Sequence, residues 1–265
     1  MHDRSTPPPG IVFECDDHVL TLRMDRPACR NAVNAAMWTF FADALPQITA
    51  DGAARCVVLT GGDGNFSAGA DIAEFDTVRK DAATARRYEA LNVAAFSAVA
   101  ALPCPTIAAI DGICFGGAFG LAAACDLRLA TGRARFAIPA ARLGLAYPAA
   151  SVAAIVAATG PQRAAELLYA ARSFDGQAMR DCGFLCGIVG HEALGADALA
   201  MAQAIAANAP LSVAASKAAI RAAQTSAAAD LEKAERLGAA TFDSADYAEG
   251  RAAFREKRTP QFRGE

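Results

Sequence analysis

The sequence predicts an α/β fold, on three observations. Short apolar runs of strand character end in glycine turns and lead into small-residue helices, and this arrangement recurs up to about residue 193. Beyond that point the strand signal disappears and only helical periodicity remains. The apolar fraction, 54% of 265 residues, supplies a substantial core. The expected organisation is a polar, proline-rich leader over 1–10, a core over 11–193 and a helical region over 194–265.

In chain order, residues 11–15 and 19–24 form a hairpin across Asp16-Asp17. Asn34 caps a helix to about residue 50, with Met37, Phe41 and Leu45 on one face. Residues 55–60 run apolar into Gly61-Gly62, the pattern of a buried strand feeding a turn. A helix over 84–101 carries Tyr88 and Glu89 and reads as a mobile cover for a pocket. Residues 106–110 are a strand, Asp111-Gly112 a turn and 116–125 a helix; 127–130, 135–138 and 188–190 supply further strands. The tail reads as helices over 194–208, 211–224, 230–241 and 244–257, with Pro210 as a breaker. Such helices bury an apolar face only against the core or another subunit.

Composition narrows the function. A net charge of −3 gives no broad basic surface, which argues against nucleic acid. No apolar stretch reaches the ~20 uninterrupted residues of a membrane span. The eight cysteines lack CxxC or disulfide-framework spacing, so reduced thiols in a cytoplasmic protein are expected. His2, His18 and His191 are scattered, and no metal site is expected.

Two glycine-rich segments carry the chemistry. Residues 66–71, FSAGAD, follow the strand at 55–60, and residues 114–120, CFGGAFG, lie between a strand and a helix. Small residues let backbone approach a ligand closely, and a helix start leaves amides without intrahelical partners. Neither segment matches a phosphate loop or a dinucleotide fingerprint. Taken singly, each is equally a tight turn. Converging, they make a pair of backbone donors able to hold a developing oxyanion.

At this point a resemblance becomes specific. MDRP with RNAVN (residues 24–27 and 30–34), FSAGADIAEF (66–75) and PTIAAIDGICFGGAFGLAAACDLRLA (105–130) resemble, in order, three motifs of the crotonase, or enoyl-CoA hydratase/isomerase, superfamily. The likeness runs from about residue 11 to 257. It implies a crotonase-like spiral of ββα units with a helical C-terminal trimerisation region, and a homotrimer or hexamer. It also implies an acyl-CoA substrate, with coenzyme A entering as part of the thioester and no separate cofactor. Position by position, it places the oxyanion amides at Ala70 and Gly117, and CoA contacts at Ala68, Asp71 and Ile72. Arg26 and Arg30 become possible phosphate neighbours.

The chain departs from the hydratase pattern where that activity needs side chains. The resemblance puts the two water-activating glutamates at positions occupied here by Gly120 and Ala140, and no acid lies between Asp126 and Glu166. Positioned acid–base groups each contribute roughly 10²–10⁴-fold, so binding and enolate stabilisation are expected to survive while hydration and isomerisation become doubtful. Tyr147, in LGLAYP, resembles a tyrosine of malonyl-type decarboxylases in the same superfamily; it is a candidate to hydrogen-bond the reacting end or deliver a proton, against a plain packing role. Glu89 is a candidate acid or base from a different wall, and Asp111 and Asp126 look structural. The alternatives are a decarboxylase using Tyr147 and an acyl-CoA binder without catalysis.

Overall fold

The computed structural model describes residues 7–265. Its strands are β1 (Ile11–Asp16), β2 (Val19–Met24), β3 (Cys56–Gly61), β4 (Thr106–Ile110), β5 (Ile113–Phe115), β6 (Leu127–Thr131), β7 (Arg135–Ala137), β8 (Phe174–Asp175) and β9 (Gly187–Val189). They form a six-stranded sheet in the order β1-β2-β3-β4-β6-β9 and a three-stranded sheet in the order β5-β7-β8. The hairpin β1–β2 turns through Asp17 and His18, both at positive φ, which suits the twist of paired strands. Every other neighbour in the large sheet is parallel.

The strand residues explain why the sheet is covered on both sides. Alternate side chains point to opposite faces. Cys56 and Val58 of β3, with Ile107 and Ala109 of β4, meet helix Leu194–Ala206, which presents Leu194, Ala198, Ala202 and Ala206 at four-residue spacing. Val57 and Leu59, with Ala108 and Ile110, join the main core on the other face. A strand buried on both faces reads as a continuous apolar run, as β4 does.

The helices are α1 (Ala35–Thr39), α2 (Leu45–Ile48), α3 (Phe75–Val78), α4 (Ala82–Ala101), α5 (Gly117–Ala124), α6 (Ala149–Thr159), α7 (Pro161–Tyr169), α8 (Gly176–Asp181), α9 (Leu194–Ala206), α10 (Pro210–Thr225), α11 (Ala228–Ala240) and α12 (Ala245–Glu256). The helix expected from Asn34 to about residue 50 is α1 and α2 joined by a π turn, Phe40–Ala44. Asn34 Oδ1 caps it by accepting from Met37 N at 2.9 Å, and Met37, Phe41 and Leu45 are buried as the spacing predicts. Among the described residues no single helix is long and apolar enough to cross a membrane; α9 with its lead-in and α10 together have the length but meet at 107°.

Helix α4 starts two residues before the expected 84 and ends at Ala101 as expected. It is held by a capping box between Asp81 and Thr84 and buries Tyr88, Asn92, Ala95, Phe96 and Val99, so it is an integral wall of the core. The leader expected over 1–10 lies mostly outside the described residues; at its end Pro8 O accepts from Ile11 N and Gly10 O from Asp25 N. The helical tail is tied to the core by Lys217, whose Nζ reaches Asp126 at 2.9 Å and Cys104 O at 2.8 Å. Arg55 adds bonds to Ala206 O and Phe262 O. Ile220, Leu231, Phe242 and Phe254 of this region stay more than half exposed.

Candidate active site

The two glycine turns meet. Ser67 N donates to Ile113 O and Phe115 N to Ser67 O, so the first turn lies alongside β5 as a parallel bridge. Three residues on, Val33 N donates to Gly69 O and Asp71 N to Val33 O. Because successive peptide groups in extended backbone point to opposite sides, the Ala70 amide between them faces away from Val33. It faces the second turn: a methyl added at Gly117 would lie 3.6 Å from the Ala70 nitrogen. Among the described residues neither the Ala70 nor the Gly117 amide donates a hydrogen bond. Gly117 opens α5, where first-turn amides have no intrahelical acceptor.

Two glycines are required here for different reasons. Gly116 sits at φ 53°, ψ −119°, a conformation closed to side chains although the space around it is open. Gly69, at φ 94°, is constrained twice, because a Cβ there would also stand 2.5 Å from Phe115 O. Beneath the second turn lies the fully buried Trp38 indole; a Cβ on Gly117 would come within 2.9 Å of its ring. Trp38 is itself fixed by a 3.0 Å bond from Nε1 to the Tyr88 hydroxyl. Burial, foremost, pushes the Tyr88 phenol up to about 12, so it stays protonated.

A small cavity of about 50 Å³ is lined by both Ala70 and Gly117. Ala140, Leu145, Ala146 and Phe96 give it apolar walls, while Arg79, Glu89, Asn92 and Tyr147 bring polar atoms. Glu89 is the only carboxylate among the lining residues, and Arg79 Nη2 donates to its Oε2 at 3.1 Å. Arg79 also lies over the rings of Phe75 and Tyr88, at 4.8 and 5.1 Å. Sequence reasoning missed Arg79 and Asn92. Asn92 was findable, since it stands one helical turn from both Glu89 and Phe96 on α4; Arg79, in the loop before that helix, had no such signal.

The structure distributes the other sequence candidates as follows. Tyr147 lines the cavity, but its hydroxyl donates to Gly116 O at 2.7 Å, holding the turn that carries Gly117. Burial, then the nearby Glu89 and Cys114, push its phenol above the usual 10.0. The Arg26 guanidinium bonds Asp71 Oδ2 at 2.8 Å and Ala32 O at 2.6 Å, bracing the loop between the two motifs. Asp71 also accepts from Ala73 N, and Ile72 is exposed. The Ala68 amide donates to Arg30 O, while its carbonyl accepts no backbone bond among the described residues. Asp111 takes bonds from Thr131, Arg133 and His191, and Asp126 from Thr106 and Lys217, so both are structural ties.

The family model for enoyl-CoA hydratase/isomerase matches residues 14–265. The chain belongs to that family. It is 32% identical over 258 residues to the crotonyl-CoA hydratase of Syntrophomonas wolfei, covering 96% of this chain and 97% of that one. It is 29% identical over 255 residues to the 2,3-dehydroadipyl-CoA hydratase of Escherichia coli, covering 96% and 98%. Among solved structures, an enoyl-CoA hydratase/carnitine racemase from Magnetospirillum magneticum superposes with a TM-score of 0.90 at 35% identity, covering 97% of each chain. The enoyl-CoA hydratase of Bacillus anthracis gives 0.89 at 29% identity, covering 97% of this chain and all of that one. The fold is therefore the crotonase fold.

Gly120 and Ala140, where the resemblance leads one to expect glutamates, are placed differently. Ala140 lies on the cavity wall. Gly120 is buried in α5, and a Cβ there would stand 2.5–2.9 Å from three atoms of the Phe96 ring. The space a side chain at 120 would enter is filled from α4.

Proposed function

We propose that this enoyl-CoA hydratase/isomerase-family enzyme binds an acyl-CoA and stabilises its thioester enolate between the amides of Ala70 and Gly117, with Glu89 as the proton-transfer group. The observation that carries this reading is the convergence of two undonated amides on a cavity whose one carboxylate is Glu89. In the proposed step Glu89 takes the α-proton. The C–H electron pair becomes the enolate double bond, and the charge settles on the thioester oxygen, where fixed dipoles are worth most. The charge of the pocket is unchanged by the transfer, since Glu89 loses what the oxygen gains. CoA would lie along Ala68, Asp71 and Ile72, with Arg26 bracing that loop. Trimers or hexamers would cover the apolar side chains exposed on the tail, a state that light scattering on the purified protein would register.

The test is exchange. Butanoyl-CoA incubated with the protein in heavy water should gain α-deuterium by mass spectrometry, while crotonyl-CoA should hydrate slowly or not at all. Binding without exchange would leave only an acyl-CoA binder. Rapid hydration of crotonyl-CoA would overturn the reasoning from Gly120 and Ala140. Decarboxylation through Tyr147 has weaker support, because its proton is engaged by Gly116 O; carbon dioxide release from methylmalonyl-CoA would revive it.

A further inference from the structure

Among the described residues lining the cavity, Arg79 and Glu89 are the only charged ones. Arg79 Nη2 donates to Glu89 Oε2 at 3.1 Å, and among the described residues no other hydrogen bond reaches the Glu89 carboxylate. The Arg79 side chain is 13% exposed and that of Glu89 30%, so the cation is the more enclosed partner. It is also the better fixed. Its guanidinium lies 4.8 Å from the Phe75 ring and 5.1 Å from the Tyr88 ring, and those two rings meet edge to face. Tyr88 is in turn buried and bonded to Trp38, while Arg79 N donates to Phe75 O at 2.8 Å. The Phe75–Tyr88 contact already joins α3 to α4, so packing alone would be served by an uncharged side chain at 79.

We infer that Arg79 is the positioning residue of the proton transfer: it holds the Glu89 carboxylate by one oxygen and leaves the other to take the α-proton. The inference rests on the role proposed above for Glu89. A proton acceptor has to be held within about 0.5 Å of its working position, and the carboxylate of the part-exposed Glu89 has this one anchor. With Oε2 engaged, Oε1 is the free oxygen. As the C–H bond breaks and an O–H bond forms at Oε1, the electron pair passes to the enolate and Glu89 becomes neutral. The guanidinium charge stays in place and then balances the enolate instead of the carboxylate. Both charges are felt across the cavity at Tyr147. Burial, foremost, raises its phenol, Glu89 adds to the rise and Arg79 opposes it. That hydroxyl holds Gly116 O, beside the residue that supplies the second amide.

The experiment follows α-deuterium exchange into butanoyl-CoA over a range of ester concentrations. It compares the whole protein with Arg79→Ala, Arg79→Lys, Glu89→Gln and the double variant Arg79→Ala/Glu89→Gln. Arg79→Ala should lower kcat about 10²-fold, the cost of a misplaced reacting group, with KM within a few-fold of the parent. Methylguanidinium at a non-denaturing concentration should restore part of that kcat and leave Glu89→Gln unchanged. Arg79→Lys keeps the charge without the planar fork and should fall between the parent and Arg79→Ala. In the Glu89→Gln background, Arg79→Ala should cost little more, because a group that acts through Glu89 then has nothing to position.

An arginine that only braces the fold gives a different pattern: losses that add in the double variant and no response to methylguanidinium. Either result, an effect confined to KM, or an unchanged kcat in Arg79→Ala would overturn the inference. If Arg79→Ala fails to fold, Arg79→Lys decides: a lower kcat at parental KM supports the inference, and a parental kcat overturns it. A parent without exchange, or exchange that survives Glu89→Gln, would remove the Glu89 reading and this inference together. Exchange lost in Glu89→Gln but kept in Arg79→Ala would remove Arg79 alone.

Discussion

Gly120→Ala adds one methyl at the point where α5 meets α4. That methyl would stand 2.5 Å from Cζ and 2.8 and 2.9 Å from Cε2 and Cε1 of Phe96. The ring has little room to yield, since it packs edge-on against Trp38 at 5.7 Å, and Trp38 is fully buried and bonded to Tyr88. Overpacking of this kind costs about 1–3 kcal/mol, while alanine in a helix gains about 1 kcal/mol over glycine. The net is a destabilisation of up to about 2 kcal/mol. In a Phe96→Ala background the clash is gone and only the helical gain remains, so the sign should reverse. The coupling between the two sites is then the overpacking term, about 1–3 kcal/mol. Urea unfolding followed by the fluorescence of Trp38, the sole tryptophan, reads all four corners of the cycle. A Gly120→Ala change that stabilises the parent, or costs the same in both backgrounds, would refute the reasoning. The functional corollary is that Gly120→Glu with Ala140→Glu should gain crotonyl-CoA hydration only when Phe96 is also cut back.

Glu89→Gln should leave acyl-CoA affinity within a few-fold while α-deuterium exchange falls by about 10²-fold or more; unchanged exchange would remove Glu89 from the chemistry. Tyr147→Phe deletes the bond to Gly116 O and should cost about 1 kcal/mol of stability. As a positioning change it should also reduce the infrared red-shift of a bound, isotope-labelled thioester carbonyl, whereas a packing role alone would leave that shift untouched. Burial, foremost, raises the thiols of Cys56 and Cys125 from 9.0 to about 12 and that of Cys104 to about 11, and the Tyr88 phenol from 10.0 to about 12. The folded chain thus holds protons that the unfolded chain releases, and stability should fall as pH rises from about 9 to about 12, with no contribution from these groups below that window. Urea midpoints that stay flat across it, or a Cys56→Ala variant with an undiminished slope, would contradict this.

The fold was largely legible because its signals are backbone signals. Continuous apolar runs such as the one at 106–110 announce a strand covered on both faces, and the glycine turns announce strand ends. Strand β4 matches its expected bounds, and Leu194, Ala198, Ala202 and Ala206 show how a tail helix covers the sheet. Less was visible where partners lie far apart in sequence. The π turn at Phe40–Ala44 leaves no mark in a periodicity of apolar residues. The inner face of helix α4, with Tyr88, Asn92 and Phe96, is set by Trp38 and Gly120, which precede and follow it. The occupation of Tyr147 by Gly116 O, 31 residues away, is equally a matter of tertiary placement.

The site separates into a part that substitution barely touches and a part it rewrites. The donors at Ala70 and Gly117 are main-chain groups whose placement follows from Gly69, Gly116 and the bridges to Val33 and Cys114. Any sequence that keeps those turns keeps the donors, and dipoles fixed in advance need no reorganisation when charge develops. A carboxylate is under no such constraint. It need only reach the acyl chain, and a wall of the cavity other than α5 can supply it. Once Phe96 occupies the space beside Gly120, an acid on α5 can no longer project into the pocket. Apart from Tyr147, whose hydroxyl bonds Gly116 O, the polar side chains lining the cavity stand on the α4 side, at Arg79, Glu89 and Asn92. In the function proposed above, the thioester oxygen would therefore sit at the main-chain part of the site, and the wall that carries the charge would select the acyl group. In this chain that wall pairs its one carboxylate, Glu89, with the Arg79 guanidinium.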